Sequence, residues 1–363
     1  MDTVQFQCPT CGGAVENTGS AYRCAGCEKD YPIVDAVPCF LDRPIYWGEL
    51  DEDEMNELVD NAAKTSWREA VEYLYKPNPV LHQYIADGGR ARWRLVMGVD
   101  ENTRVLDLGS GYGSLSIPMA KAAGQVVAVD SVPQRNRFLQ IRAAQEGLDN
   151  VVVVNGDVVR PPLAPEQFDI VILNGMLEWV AVAETEGKPY DVQLKFLRNV
   201  HALLREGGSV YIGIENRFGY WAWSGGKDHS GLKYTSIMPK FMANWVVRAN
   251  ANRQSFRTDF SKDSYRTYIY SSYGYRKLLE KAGFGSVEVF TPYPTYNCVN
   301  CFLSIDDTTP YRYFVRSQFR ASSRKSKLLR CMLLALMPIG IHKVWSNSYG
   351  IVGHKRSQKK ADA

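Results

Sequence analysis

Long apolar runs are missing from this chain. Residues 328–341 come closest near the C-terminal end, but Arg330 and Pro338 interrupt them and they fall short of the ~20 residues that span a bilayer. No membrane-crossing helix is therefore predicted, and the stretch reads as a core helix or an interfacial amphipathic segment. No residue run at the N-terminus looks like a secretory leader, because Met1 runs directly into polar residues and the Cys8–Cys11 pair, so a cytoplasmic location is expected. Acidic residues are absent between positions 308 and 361, where twelve Lys and Arg stand, although the whole chain carries only +4 and residues 1–307 carry −7. Such a segment suits an anionic partner (nucleic acid, phospholipid headgroups or a diphosphate-bearing substrate) and equally a plain solvated surface. Histidine is scarce, five in 363 residues, which narrows the candidates for proton transfer. What is present, 45% hydrophobic and 23% charged residues, is globular composition, enough for one large α/β domain and a smaller module.

Cys8, Cys11, Cys24 and Cys27 form two CxxC pairs separated by twelve residues, with Gly12 and Gly26 beside them. Paired thiolates brought together by a loop make a closed tetrahedral site, so the four are predicted to hold a structural Zn²⁺ rather than form disulfides in a reducing compartment. Residues 31–40 read as strand, turn, strand. The first 41 residues thereby resemble the zinc-ribbon family that activates tRNA and protein methyltransferases as a separate small subunit. Cys39 is read as a buried apolar residue, and Cys298-Val299-Asn300-Cys301, a CxxC without a matching pair, as strand. The domain reading is a ribbon over 1–45, a helical linker or cap over 46–100, and an α/β domain over 101–363 with insertions at about 215–269 and 293–347. In the linker, an acidic run from Glu49 to Asp60 opens a helical stretch reaching about Tyr75, and a second helix, set off by Pro77 and Pro79, is expected from 80 to 97.

Residues 104–108 form an apolar strand that turns through Gly109-Ser110-Gly111-Tyr112-Gly113 toward a helix. Glycine permits such a bend and lets backbone approach a ligand closely. The spacing is GxGxG with Ser114 where a dinucleotide fingerprint wants a third Gly or Ala, and Asp107 puts a carboxylate where a diphosphate would lie. A ligand with a positive centre fits better. The next strand ends in Asp130, placed for two ribose hydroxyls; strand 151–154 leads to Asn155-Gly156-Asp157, and strand 168–173 to Asn174. In an open parallel sheet these strand ends share one edge. A helix over 191–204 stopped by Gly207-Gly208, a fifth strand over 210–214, a helix over 273–281, a strand over 286–290 and a last strand over 349–353 complete the pattern.

Over residues 90–290 this order closely resembles the class I methyltransferases that use S-adenosylmethionine. The resemblance implies a Rossmann-like α/β fold with a mostly parallel seven-stranded sheet and helices on both faces. It implies that Asp107, Gly109, Gly111 and Gly113 hold the methionine moiety, Asp130 with Ser131 the ribose, Asp157 with Val158 the adenine, and Asn174 the same pocket.

Segment 215–269 is the natural substrate wall. Glu215-Asn216-Arg217-Phe218-Gly219 and Lys227-Asp228-His229-Ser230-Gly231 lie among Tyr220, Trp221, Trp223 and Tyr234, a mixture suited to a sugar or a nucleobase ring. His229 is the one histidine in this segment, and it is read as a general base oriented by Asp228, with Glu215 as a third catalytic candidate and Arg217 as a loop organiser or substrate contact. LNGMLEW, IENRFG, KDHSG and YRTYIYSSYGYRKLLEKAGF resemble a bacterial family of zinc-ribbon methyltransferases associated with surface polysaccharide assembly. That resemblance implies methylation of a hydroxyl or amino group on a small molecule, glycan or lipid-linked sugar, and a basic tail lying peripherally on the inner membrane face. Two other readings stand: an RNA methyltransferase using the ribbon and tail on RNA, against which the missing Asn/Asp-Pro-Pro-aromatic motif counts, and a non-catalytic partner that keeps the fold.

Overall fold

Residues 3–43, 46, 48–75, 79–250, 264–318 and 323–357 are described by the computed structural model. Pro77, residues 251–263 of the substrate-wall segment, and residues 319–322 and 358–363 of the basic tail lie outside them. The chain divides into two compact units: Met1–Met176 with Phe196–Tyr211 and His354–Ala363, and Leu177–Lys195 with Ile212–Gly353.

In the first unit, β1 (Val15–Asn17), β2 (Ala21–Cys24), β3 (Asp30–Val34) and β4 (Val37–Pro38) form an antiparallel ribbon in that order. The ribbon is joined to the main sheet of the unit. Phe6 bridges Leu163, Cys39 bridges Asn155, and the Phe40 N–H donates to the Asn155 carbonyl at 2.8 Å. Val37 is buried with Ile117, Ala128, Leu139, Ala143 and Val153, so the ribbon contributes to the same core.

The main sheet runs β7 (Val151–Asn155), β6 (Gln125–Asp130), β5 (Arg104–Leu108), β8 (Phe168–Asn174), β9 (Leu204–Glu215, of which 204–211 belong here). β5 pairs in parallel with both β6 and β8, and β6 with β7. These strands are near-continuous Val, Ile and Leu because both faces are covered, which hides any alternating pattern. The order reverses at β5, so a crevice opens beyond the carboxyl ends of β5 and β8.

Local chemistry divides the helices more finely than the sequence predicted. The acidic run is capped by Asp51, whose side chain accepts from the Glu54 N–H at 2.8 Å while Glu54 reaches back to the Asp51 N–H, but the helix ends at Lys64. Ser66 then starts Trp67–Tyr75 by accepting from the Glu69 N–H. The helix expected over 80–97 is Pro79–Ala86 followed by a 3-10 segment, Gly88–Val96, because Asp87 turns to accept from the Gly89 N–H at 2.7 Å. Gly207-Gly208 do not stop a helix. The helix Pro189–Leu203 ends earlier, and Gly208 lies inside β9, where a Cβ would stand 3.1 Å from the carbonyl oxygens of Phe168 and Asp169.

The linker helices pack on Pro133–Gln145. Met55, Leu58, Ala62, Trp67, Ile85, Tyr112 and Phe138 share one core. Two buried arginines of that helix complete it: Arg135 pairs with Glu49, and Arg142 donates to the carbonyls of Ile85 (2.9 Å) and Tyr112 (3.1 Å) while lying over Trp67.

The second unit holds the order β11 (Cys298–Ser304), β10 (Ser286–Thr295), β12 (Ser348–His354), β9 (residues 212–215). β11 is an antiparallel hairpin partner of β10 and exceeds the expected seven strands by one, with Cys298 and Cys301 in it as read. The helix Ser272–Ala282 has Ser271 at its start and Gly283, at φ 110°, at its end. Residues 328–341 fall into the helix Arg324–Leu336 and the turn after it, with Leu333 and Met337 buried against Tyr311, Phe314 and Val315 while Leu328 is exposed. Among the described residues no helix is long and apolar enough to cross a membrane.

Phe138 is fully buried and meets Tyr112 edge-on at 5.9 Å. Phe138→Ala is expected to lower stability by about 3–5 kcal/mol in urea unfolding followed by tyrosine and tryptophan fluorescence. A loss under about 1 kcal/mol would show that the linker helices are not packed on this helix as described.

Candidate functional site

The four N-terminal thiols converge. Cys8 and Cys27 Sγ are 3.7 Å apart, Cys11 and Cys24 Sγ 3.4 Å, and all four lie within 4.8 Å of one another without a disulfide. Tetrahedral thiolates with bonds near 2.3 Å stand about 3.8 Å apart, so the spacing fits a four-sulfur metal centre. Backbone N–H groups of Gly13, Gly26 and Cys27 point at the sulfurs of Cys11 and Cys24 at 3.4–3.5 Å, and the Tyr31 hydroxyl stands 3.0 Å from Cys8 Sγ. Burial raises the Cys8 thiol, but Tyr31 and the N–H groups around it outweigh this and hold it at about 6. Cys39 lies apart, its thiol directed at the Val37 carbonyl.

The bend after β5 uses left-handed backbone at all three glycines: φ is 77° at Gly109, 53° at Gly111 and 76° at Gly113. At Gly113 a Cβ would meet Leu139 at 2.2 Å, whereas beside Gly111 the space is open. Asp130 ties the bend down. One carboxylate oxygen accepts from the Gly111 N–H and the other from the Val132 N–H, both at 2.9 Å. Asp107 is buried, accepts from the Ser116 hydroxyl at 2.6 Å, and burial pushes its carboxyl up to about 6. Asp157 turns into its own loop, accepting from the Val159 N–H at 2.9 Å and facing Arg160 at 3.4 Å; Ser131 and Val158 are half-buried beside Asp130 and Asp157. Asn174, at the tip of β8, has both amide atoms buried without a hydrogen-bond partner among the described residues, and so has the Ser110 hydroxyl in the bend. Orphaned polar atoms at a strand end and in a glycine loop are what a missing polar ligand leaves behind.

In the second unit a cavity of about 350 Å³ is lined by Glu215, Trp221, Asp228, His229, Tyr296 and Asn297, among others. Glu215 is the last residue of β9, and His229 sits in a loop closed by the Lys227–Lys233 bridge. His229 Nε2 lies 3.4 Å from Glu215 Oε2 and 3.7 Å from Glu178 Oε1. The Trp179 ring meets the imidazole edge-on at 4.7 Å. Burial opposes the imidazole's charge, but the two carboxylates outweigh it and push His229 up to about 9. The expected Asp228–His229 orienting pair is replaced. Asp228 accepts from the Ser230 N–H (2.8 Å), the Thr235 hydroxyl (2.7 Å) and the Tyr265 hydroxyl (3.3 Å), fixing the loop, while Glu215 and Glu178 face the ring. Arg217 organises a loop, donating to the carbonyls of Ser236 (2.8 Å) and Met238 (2.7 Å).

Three residues escaped the sequence reading. Glu178 is fully buried in an apolar stretch just beyond β8, and an acid in such surroundings was the available signal. Tyr296 donates to Glu215 Oε1 at 2.8 Å across 81 positions, which no local pattern could reveal. Lys240 lies 3.8 Å over Tyr268 and 4.9 Å over Tyr265, and burial brings its ammonium down to about 7.

Residues 105–208 match the family described as a methyltransferase domain. The ubiquinone biosynthesis O-methyltransferase of Parvibaculum lavamentivorans is 29% identical over 148 residues, 40% of this chain and 54% of that protein. The corresponding protein of Mesorhizobium japonicum is 31% identical over 153 residues, covering 40% and 55%. The chain thus spans about half the length of these curated relatives. Among solved structures, a phosphoethanolamine N-methyltransferase 2 of Haemonchus contortus in complex with S-adenosyl-L-methionine is similar at 16% identity and a TM-score of 0.42, covering 83% of this chain and 60% of that one.

Because Asp228 accepts from three separate partners, Asp228→Ala should cost about 1–3 kcal/mol of stability, read as a fall in Tm. An unchanged Tm would mean that the loop carrying His229 is held by something else.

Proposed function

We propose that the protein transfers a methyl group from S-adenosylmethionine to an oxygen or nitrogen of an acceptor. The observation that carries this reading is the left-handed glycine bend tied by Asp130, set over buried Asp107 at the point where strand order reverses, within the stretch that matches a methyltransferase domain. S-adenosylmethionine supplies a carbon already activated by a sulfonium. Asp107 faces the positive end of the cofactor, Asp130 and Ser131 the ribose, and Asp157, Val158 and Asn174 the base side. In-line transfer asks little of the protein beyond alignment and removal of the acceptor's proton. Glu215 and His229, which line the cavity, are the charged side chains that can stabilise an acceptor oxygen as that proton leaves.

The acceptor is a sugar-like hydroxyl on a glycan, a small molecule or a lipid-linked intermediate in surface polysaccharide assembly. The mixture of Trp221, Asn297 and Tyr296 with charged groups in the cavity supports such a polar ring, and the basic segment after residue 308 supports peripheral contact with a membrane carrying it. The four-cysteine ribbon holds Zn²⁺ as a folding element.

His229→Ala should lower kcat about 10²–10⁴-fold while calorimetry shows cofactor affinity within about twofold of the parent. Near-normal turnover removes the cavity from the reaction. A second test concerns pH. The Asp107 carboxyl is raised above its ordinary value, so its contribution to apo-protein stability is complete at low pH and is lost as pH rises through about 6, where it ionises in a buried place. A cationic ligand offsets that charge, so cofactor affinity should be level above pH 7 and weaken as pH falls through about 6. Asp107→Asn should bind more weakly at pH 8 and lose the dependence. A parent protein with no such dependence would leave Asp107 out of the cofactor site.

A further inference from the structure

We propose that Glu178, Glu215 and His229 bind a divalent first-row metal ion, at a site separate from the four cysteines and beside the cavity that Glu215 and His229 line. The role assigned to the ion rests on the methyl-transfer reading; its binding does not.

The spacing argues for an ion. A charge-assisted hydrogen bond between an imidazolium and a carboxylate closes to about 2.7–2.9 Å. Here His229 Nε2 stands 3.4 Å from Glu215 Oε2 and 3.7 Å from Glu178 Oε1, and all three ligand atoms lie within 4.8 Å of one another. Donors bound at about 2.0–2.2 Å to one tetrahedral ion are separated by roughly 3.3–3.6 Å. His229 Nε2 and Glu215 Oε2 are shut off from solvent and form no hydrogen bond among the described residues, as expected of atoms that converge on a common partner.

Groups behind the ligands hold them in place. Tyr296 donates to the other oxygen of Glu215 at 2.8 Å, the Tyr275 hydroxyl donates to the Glu215 carbonyl at 3.0 Å, and Trp179 packs on the imidazole. Oriented ligands of this kind are characteristic of metal centres. One imidazole with two carboxylates suits Zn²⁺, Mn²⁺ or Fe²⁺. Three protein ligands leave room for a further oxygen, unlike the four-thiolate site where every position is filled.

The chemistry follows from that open position. An acceptor hydroxyl bound to the ion becomes more acidic, and its proton passes to solvent. The oxygen then forms a bond to the methyl carbon as the carbon–sulfur bond breaks, and the electron pair returns to sulfur, leaving a neutral thioether.

Full-length protein, purified with its thiolate site loaded with zinc, is titrated with Mn²⁺ and followed by electron paramagnetic resonance. Expected is one Mn²⁺ per chain, with affinity falling at least about tenfold in His229→Gln and in Glu215→Gln, each checked for an unchanged Tm. Cys24→Ser should leave the Mn²⁺ signal unchanged. No binding, or binding indifferent to both substitutions, overturns the proposal. Full turnover by chelator-treated enzyme with zero Mn²⁺ and one Zn²⁺ per chain overturns the catalytic role. A protein that binds Mn²⁺ as described but gives no heat with S-adenosylmethionine loses the methyl-transfer reading and keeps the metal site.

Discussion

The first unit depends on one carboxylate. Asp130 receives the N–H of Gly111 with one oxygen and that of Val132 with the other, which locks the glycine bend to the tip of β6. Three consecutive alternate residues in left-handed backbone would otherwise be an adaptable loop, since glycine loses more conformational freedom on folding than any other residue. Tyr112, inside the bend, anchors it from the other side by packing on Phe138 and the linker helices. The bend is therefore held rigid before any ligand arrives, and preorganisation of this sort is how a small site gains affinity.

Charge is handled differently in the two units. In the first, Arg135 and Arg142 are buried as part of the packing, with Glu49, backbone carbonyls and aromatic faces as their partners. In the second, charge gathers beside a cavity, where two carboxylates stand near an imidazole. Buried charge is costly unless it is paired or coordinates a metal, so the first arrangement reads as structure and the second as function.

Much of the first unit was legible in the sequence because its signals are local. Two CxxC pairs foretold a cluster of thiols, and apolar runs with Asp107, Asp130, Asn155 and Asn174 at or next to their ends foretold parallel strands with polar tips. Helix boundaries were less legible, since single side chains at Ser66 and Asp87 decide where one helix ends and another element begins. Gly208 looked like a helix stop but serves a close approach of β9 to β8 carbonyls, which only tertiary structure reveals. At the cavity the sequence singled out His229 and Glu215 but paired the histidine with its neighbour. The carboxylates that face the ring are Glu215 and Glu178, and Glu178 lies 51 positions earlier in the chain, in the turn that follows β8.

The pairing of the ribbon with β7 has a bearing on solubility. β7 is the outermost strand of its sheet, and the segment through Cys39 and Phe40 covers part of its free backbone. A chain whose ribbon has come undone would expose that flank as an unsatisfied template, open to the same flank of another molecule. Intact thiols at Cys8, Cys11, Cys24 and Cys27 would thus guard the protein against aggregation.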